Sequence, residues 1–459
     1  MNLPRLIIAD EIGEKSVPAS LLLIQALRSR GARVNVFMSG RREEYLRLME
    51  LLSGAPVCCI DTYSAGSGRN LKTLFQRRAA PDAINVVSVP LGKAVDERTF
   101  QTYPEPQELA KVLDCGILPI LNASTSAVAT TNRTLSVFAS LNEAVRDRVQ
   151  GLLLASVKNP RDFQLLEQEH NRRSPVLSLG YIPKNVERAM PALIELAPHG
   201  ASMKLLQLKS ASLQLGSAVR QVEWSVIEAL ARLNEPWTPP ELLRYPSCHL
   251  NVAVIGQDIS LEGEGNIEAL RAMGCTPHPC DPTRDPFPMA ADMLYFPHAL
   301  ADTTAERILT NAGFREGILK SVQNNKLILA TGASAVLFGQ QYRTTAQNVL
   351  EGLGVFPFHA YSIPRDEEHG ARKIEIRGTR DTYFTRTDER LRGYEIKGVA
   401  IANPGNLGQP CLSYRNMNGD AETGVSGWNS SYCFVTGLRL DLWSSLDVLH
   451  RWLSLRKRK

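Results

Sequence analysis

The sequence has no apolar run approaching the ~18 residues that a bilayer-spanning helix needs. Its first stretch, MNLPRLIIADE, lacks the charged-then-apolar layout of a secretory leader. No CxxC occurs among the eight cysteines, which are scattered without paired spacing. Cys275 and Cys280 flank His278, but Pro277 and Pro279 make that cluster a turn, so no metal site is expected there. Charge of one sign is also missing in any strength. The net +5 is mild for 459 residues, and much of it sits in the solvated tail Leu455–Lys459. These absences lead to four expectations: no membrane span, no nucleic-acid partner, reduced thiols and a cytoplasmic location.

What is present is a regular alternation. At 459 residues the chain is too long for one ordinary core, so two domains are expected. In the first half, short β-branched runs (Leu6–Ile8, Val34–Phe37, Val57–Ile60, Ile84–Val89, Ile117–Leu121, Leu152–Leu154, Val176–Leu179) alternate with helical patterns such as Ala19–Arg28, Glu43–Leu52, Leu71–Arg78 and Arg161–His170. That alternation predicts an α/β fold with a doubly wound parallel sheet. A longer helix over Ala211–Leu233 is expected to close this first domain, residues 1–233. A proline-rich linker, NEPWTPPELLRYPS, follows over 234–247.

The second domain, 248–459, starts a new alternation. Strands are expected at Asn251–Ile255 and Met293–Phe296, and helices at Glu262–Met273 and Thr304–Gln323. Lys326–Gly339 reads as strand, tight turn and helix. Arg372–Ile376 and Thr382–Thr387 read as antiparallel strands, and Leu440–Leu455 as a final helix.

Two turns carry the chemistry to be weighed. IIADEIGEKSVPASLLLIQALRSRG, Ile7–Gly31, is an apolar strand, a turn containing Lys15-Ser16, and an amphipathic helix. LILATGASAVLFG, Leu327–Gly339, is a strand running into an elbow with Thr331 at its point. In their order and local spelling these landmarks resemble the cobyrinic acid a,c-diamide synthase family over nearly the whole chain. The resemblance implies an N-terminal P-loop domain related to dethiobiotin synthetase and a C-terminal class I glutamine amidotransferase-like, flavodoxin-like domain. It also implies ATP-dependent amidation of tetrapyrrole carboxylates with ammonia drawn from glutamine.

Position by position, the family's chemical residues are replaced. Its phosphate loop needs glycines so that backbone N–H groups approach phosphate closely. Here the loop keeps Gly13, Lys15 and Ser16, with Glu14 before the lysine, and is about two residues short. Asp10, Glu11 and Glu14 add carboxylates where a polyanion would sit. Each repulsion is worth about 1–4 kcal/mol at ~4 Å. A Lys-Gly-Pro-Asp stretch after the second strand reads FMSGRREEY, with Met38 in place of the lysine and Arg42 near the aspartate. The metal-supporting acid falls on Ser88 in VVSVPLGKAVDE, with Asp96 and Glu97 further on. Asn122 stands for an aspartate in LNAS, and Ala155 for a base-reading asparagine in LLLASVKN.

In the second domain, Thr331 takes the position of the cysteine nucleophile. The base histidine aligns with Arg439 in FVTGLRLDLW, with Asp441 nearby, and an arginine accepts no proton at neutral pH. The oxyanion turn reads Pro297-His298-Ala299-Leu300. A Gly-His-Glu-Phe-His landmark survives as RGYEIKG, keeping Gly393 and Glu395. Cys411 and Cys433 read as small core residues, and Ser334 as a packing residue near the elbow. A Thr331–His298 pair is the remaining candidate for nucleophile and base.

The reading that follows is a non-catalytic homologue with degenerate active sites. It would bind a protein partner (a second copy, an active homologue or a tetrapyrrole enzyme) or hold a tetrapyrrole ligand, with no cofactor. A plain scaffold within a complex is a variant of this. The alternative is a divergent ATP-dependent amidase of tetrapyrrole carboxylates, using Mg-ATP with ammonia or glutamine. Arg41, Arg42 and Lys93 are candidate contacts for ligand carboxylates.

Overall fold

Continuously apolar strands demand cover on both faces, and the first half of the chain supplies it. In a computed structural model, Leu6, Ile7, Ile8 and Ala9 are fully buried. The structure describes all residues except 1, 12–18, 41–42, 96–99, 189–209, 211–212, 215, 218, 220, 242, 244, 257–263, 299–301, 364–371, 397, 403–408, 418–422 and 459. By internal contacts the chain divides into two units: Met1–Thr62 with Leu71–Glu241, and Tyr63–Asn70 with Leu242–Lys459.

The first unit is an α/β layer structure. Its strands are β1 (Arg5–Glu11), β2 (Val34–Met38), β3 (Cys58–Cys59), β4 (Ile84–Ala94), β5 (Phe100–Thr102), β6 (Gly116–Asn122), β7 (Gly151–Val157) and β8 (Leu177–Pro183). They lie in the order β3-β2-β4-β1-β6-β7-β8, all parallel, with β5 antiparallel to β4. The chain winds outward through β2 and β3, returns through β4, then leaves on the other side of β1. The carboxyl ends of β1 and β4 therefore flank a switch point, the usual ligand position in such sheets. Helix starts follow local chemistry. Ser126 caps the Ala127–Ser140 helix by accepting from the Ala129 N–H, and Asn159 caps Pro160–Arg173 by accepting from Asp162, with Pro160 at the first turn.

Arg5 fastens β1 to its surroundings. Its guanidinium is buried and donates to the carbonyls of Leu113 (2.6 Å), Leu3 (2.9 Å), Asp114 (2.8 Å) and Glu235 (2.9 Å). Two of these end the Glu105–Leu113 helix, where a cation also meets the negative end of the helix dipole. Burial lowers the Arg5 pKa from its ordinary value.

The second unit is built on a parallel sheet of β9 (Asn251–Ile255), β10 (Thr276–Cys280), β11 (Met293–Phe296) and β12 (Leu327–Thr331), joined by Cys433–Thr436. Their order is β10-β9-β11-β12, then Cys433–Thr436 and the antiparallel edge Trp428–Ser430. Two smaller sheets complete it. One pairs Gln341–Arg343, Val349–Glu351, His359–Ser362 and Val399–Ala402; the other is five-stranded and centres on Arg372–Gly378.

Several expectations are corrected. Tyr63–Asn70 belongs to the second unit rather than the first, because its anchors lie there. The Tyr63 hydroxyl donates to the Ile374 carbonyl, its ring lies under Lys373 and Arg392, and Asn70 donates to the Trp443 carbonyl at 2.9 Å. The helix expected over Ala211–Leu233 is confined in its described final part to Trp224–Arg232, since Val222 pairs antiparallel with Gly180. Thr304–Gln323 is two helices, Asp302–Thr310 and Ala312–Gln323, divided where the Asn311 side chain caps the second by accepting from Phe314. Thr382–Thr387 is a turn, with the Thr382 hydroxyl accepting from the Phe384 and Thr385 N–H groups; the strand pairing with Arg372–Gly378 is Arg390–Glu395. The final helix is α-helical only over Leu446–Leu453.

All eight cysteines are buried as free thiols, and burial pushes the Cys411 thiol up to about 11. Among the described residues no helix is long and apolar enough to cross a membrane, and no cluster of three or more metal-ligating side chains occurs.

Replacing Arg5 by Met is expected to destabilise the first unit by about 3–5 kcal/mol, because buried carbonyls lose their donor. Arg5→Lys should recover only part of this, since an ammonium does not reproduce the guanidinium fork. Urea unfolding measures both; a wild-type midpoint for Arg5→Met would show the fastening to be dispensable.

Candidate functional site

At the carboxyl end of β1 the chain presents Asp10 and Glu11 at the switch point. Asp10 is buried, and both its carboxylate oxygens lie 3.1 Å from the Ser20 N–H in the first turn of the Ala19–Ser29 helix. A carboxylate there is favoured by the helix dipole. The Ser20 hydroxyl lies 2.7 Å from that of Ser88, the residue at the metal-acid position, which is thereby held within the β1–β4 packing.

Glu11 is also engaged. Its Oε2 accepts from the Asn122 N–H at 2.9 Å, and its Oε1 pairs with Arg133 Nη1 at 3.2 Å, both side chains being 7% exposed. Arg133 also donates to the Asn122 carbonyl (2.6 Å) and the Thr125 hydroxyl (2.9 Å). The expected repulsion of a polyanion by Asp10 and Glu11 is therefore revised. One carboxylate is neutralised by a buried guanidinium and the other compensated by a helix N-terminus. Arg133 went unnoticed in the sequence, although it is the one charged residue in the Ala127–Ser140 helix.

The other first-unit positions are less connected. Met38 ends β2 in the core, and the Ala155 carbonyl accepts from the Ala123 N–H at 2.8 Å. Asn122 folds its own loop by accepting from the Ser124 N–H at 2.9 Å. Lys93 is exposed on β4, opposite Gln101 of β5. Gly13, Glu14, Lys15, Ser16, Arg41, Arg42, Asp96 and Glu97 lie outside the described residues, as do Ala299 and Leu300 of the second unit. Glu105, also unnoticed, holds Thr62 through its N–H and hydroxyl, each at 2.8 Å.

In the second unit the elbow is a strand followed by a buried 3-10 turn, Gly332–Phe338, rather than the expected regular helix. Thr331 is fully buried, and its hydroxyl has no partner among the described residues. The next two N–H groups, the natural donors of an oxyanion site, are taken. Gly332 donates to the Leu438 carbonyl and Ala333 to His298 Nδ1, each at 3.0 Å. Gly332 has φ +61°, and a Cβ there would stand 2.5 Å from His298 Nδ1, so glycine is required by both conformation and space.

His298 and Thr331 are thus brought to one turn, but the histidine nitrogen facing it accepts from a backbone amide instead of serving as a base. Ser334 donates to the Pro297 carbonyl, which ties the elbow to the end of β11. Arg439 is buried in the short strand Arg439–Leu440, paired with Tyr394 and Gly393. A Cβ on Gly393 would meet the Arg439 carbonyl at 2.2 Å, which accounts for glycine at that surviving landmark. Asp441 is buried beside it, and its N–H donates to the Arg392 carbonyl at 3.0 Å.

The sequence also has likenesses among known proteins. Residues 252–436 match the model of the CobB/CobQ-like glutamine amidotransferase domain. The chain is 22% identical over 459 residues to a cobyrinate a,c-diamide synthase of Listeria monocytogenes, covering 97% of each chain. It is 21% identical to one of Streptococcus sanguinis, covering 98% of each. A crystal structure of a glutamine amidotransferase covers 45% of this chain and 99% of its own length at 14% identity and TM-score 0.33.

Two outcomes are expected from these contacts. Arg133→Met leaves the Glu11 carboxylate buried without its cation and should cost about 3–5 kcal/mol in urea unfolding. Adding Glu11→Gln should return part of that loss, and strict additivity would show that the pair is not coupled. Thr331→Cys should release no glutamate from glutamine above the wild-type background, and its thiol should react with iodoacetamide only in denaturant. Glutaminase turnover in that variant would overturn the reading of the elbow.

Proposed function

From a chain related along its length to the cobyrinate a,c-diamide synthases, we propose an ATP-dependent amide synthase of tetrapyrrole-type carboxylates that takes free ammonia. The observation that carries this is the extent of the likeness, which covers 97% of both chains and so includes both domains. The free ammonia follows from the elbow, where Thr331 is buried and the neighbouring amides are already bonded.

In this reading the first unit provides the phosphoryl-transfer site at the carboxyl ends of β1 and β4. ATP, when bound, supplies activation of the substrate carboxylate as an acyl phosphate. The opposition of the β1 end to a polyanion is reduced, since Glu11 is paired with Arg133 and Asp10 accepts from the Ser20 amide. Lys15 would meet phosphate, while Arg41, Arg42 and Lys93 would hold further carboxylates of the substrate. Ammonia displaces the phosphate, so that one amide, one ADP and one phosphate form per carboxylate consumed. A cytoplasmic setting is part of the proposal.

A second reading, a non-catalytic member that holds a tetrapyrrole or a protein partner, is favoured by a different observation. Thr331 is sealed from solvent, His298 accepts from the Ala333 amide, and Arg439 lies buried in a paired strand. Met38 and Ser88 likewise are packed into the core of the first unit.

Incubation with ammonium, Mg-ATP and a carboxylated tetrapyrrole separates the two. The amide synthase should release ADP in step with the acid-to-amide mass change, and glutamine should not replace ammonium. No ADP with any such substrate would reject it in favour of the second reading. Visible absorbance in the purified protein would then indicate a held pigment, and a colourless co-purifying protein a scaffold.

A further inference from the structure

The second unit contains a cavity of about 450 Å³ that the elbow does not line. Gly398, Val399, Ala400 and Ile401 border it in unbroken succession. Successive side chains of a strand point to opposite faces, so what consecutive lining residues share is their backbone edge. The cavity therefore runs along the Val399–Ala402 strand, which is outermost in its four-stranded sheet and pairs there only with His359–Ser362.

The register shows which backbone groups that edge presents. Tyr361 lies opposite Ala400 and Ser362 opposite Val399 in an antiparallel pair, and the Ile363 N–H donates to the Gly398 carbonyl at 2.9 Å. Ladder bonds in such a pair recur at every second residue. Gly398, Ala400 and Ala402 thus bond towards the neighbouring strand, while the N–H and C=O groups of Val399 and Ile401 point away from it, along the cavity. These outward groups have no hydrogen-bond partner among the described residues. Strand edges are usually blocked by a charge, a proline or a bulge, and Val-Ala-Ile-Ala has none of these.

The charged side chains of the lining, Arg372 and Glu395, stand opposite each other across two strands and leave it without net charge. Val399, Ile401 and Leu438 are aliphatic, and the rim residues Ile363 and Val425 are 46% and 65% exposed. An uncharged occupant whose donors and acceptors alternate at the pitch of a strand is another extended main chain. We propose that an extended segment of a partner protein adds to this edge as a further strand. Its main chain bonds the outward groups of Val399 and Ile401, and its aliphatic side chains, at alternate positions, lie against Leu438. The site does not rest on amide formation, and it stands whether or not the first unit turns over ATP.

Calorimetric titration of the full chain with the blocked peptide acetyl-Lys-Val-Thr-Val-Thr-Lys-amide tests this, with its fully N-methylated form as the control that cannot donate. One saturable site is expected for the first and none for the second. Val399→Pro removes an outward N–H but no ladder bond, so it should melt cooperatively and bind the peptide about tenfold or more weakly. Val399→Ala keeps that N–H and should lose no more than about threefold. The inference fails if the peptide does not bind, if the N-methylated form binds equally well, or if folded Val399→Pro retains full affinity. Should Val399→Pro not fold, hydrogen exchange of the wild type decides. Bound peptide should slow the Val399 and Ile401 amides by about tenfold or more and leave the Ala400 amide, already bonded, as it was; unchanged exchange at Val399 and Ile401 overturns the site. Concentration-dependent dimerisation that Val399→Pro abolishes would assign the edge to a second copy and overturn the partner.

Discussion

The hydrogen bond from the Gly332 N–H to the Leu438 carbonyl is the constraint on which the second unit's elbow depends. It joins the turn after β12 to the segment that follows the neighbouring parallel strand, Cys433–Thr436. Because Gly332 is held in the left-handed region, the chain folds back beneath His298, and Ala333 donates to that ring. Thr331 is then sealed at the end of its strand. In this turn the Gly332 and Ala333 amides, which would otherwise face a developing oxyanion, are already bonded. The same contacts hold the elbow in its buried arrangement.

The first unit arrives at a comparable closure by electrostatics. A carboxylate at a strand end beside a helix N-terminus is unfavourable only if it faces other anions or low dielectric without compensation. Asp10 meets the amide of Ser20, and Glu11 meets both the Asn122 amide and the Arg133 guanidinium. Arg133 offsets the charge of Glu11, while Asp10 keeps its own charge, eased by the Ser20 amide at a helix N-terminus. What reads in the sequence as a cluster of exposed carboxylates is, at Asp10 and Glu11, a bonded one with its negative charge reduced.

How far the fold could be read in the sequence follows from the range of the interactions that set it. Buried parallel strands are continuous apolar runs, so β1, β9 and β11 were visible within a few residues. Helix starts with local caps were visible in principle, yet the break at Asn311 was masked by helical periodicity on both sides of it. Long-range partners were not visible. Arg5 contacts carbonyls more than a hundred residues away, and Arg133 meets Glu11 across 122 positions. The same is true of Tyr63–Asn70, which nothing local assigns to the second unit. At the elbow the substituted residues were legible but their replacement contacts were not, because a backbone amide's partner has no spelling in sequence.

Several positions at which the family's reactive groups are expected are bonded within the fold here. Ser88 bonds Ser20, Asn122 shapes its loop, His298 accepts from Ala333, and Arg439 lies buried in a paired strand. A reactive group at such a place must stay exposed and under-bonded, at a cost in stability, whereas a bonded group stabilises the turn around it. In the second unit the bonds of His298 with Ala333 and of Ser334 with Pro297 hold the elbow in place.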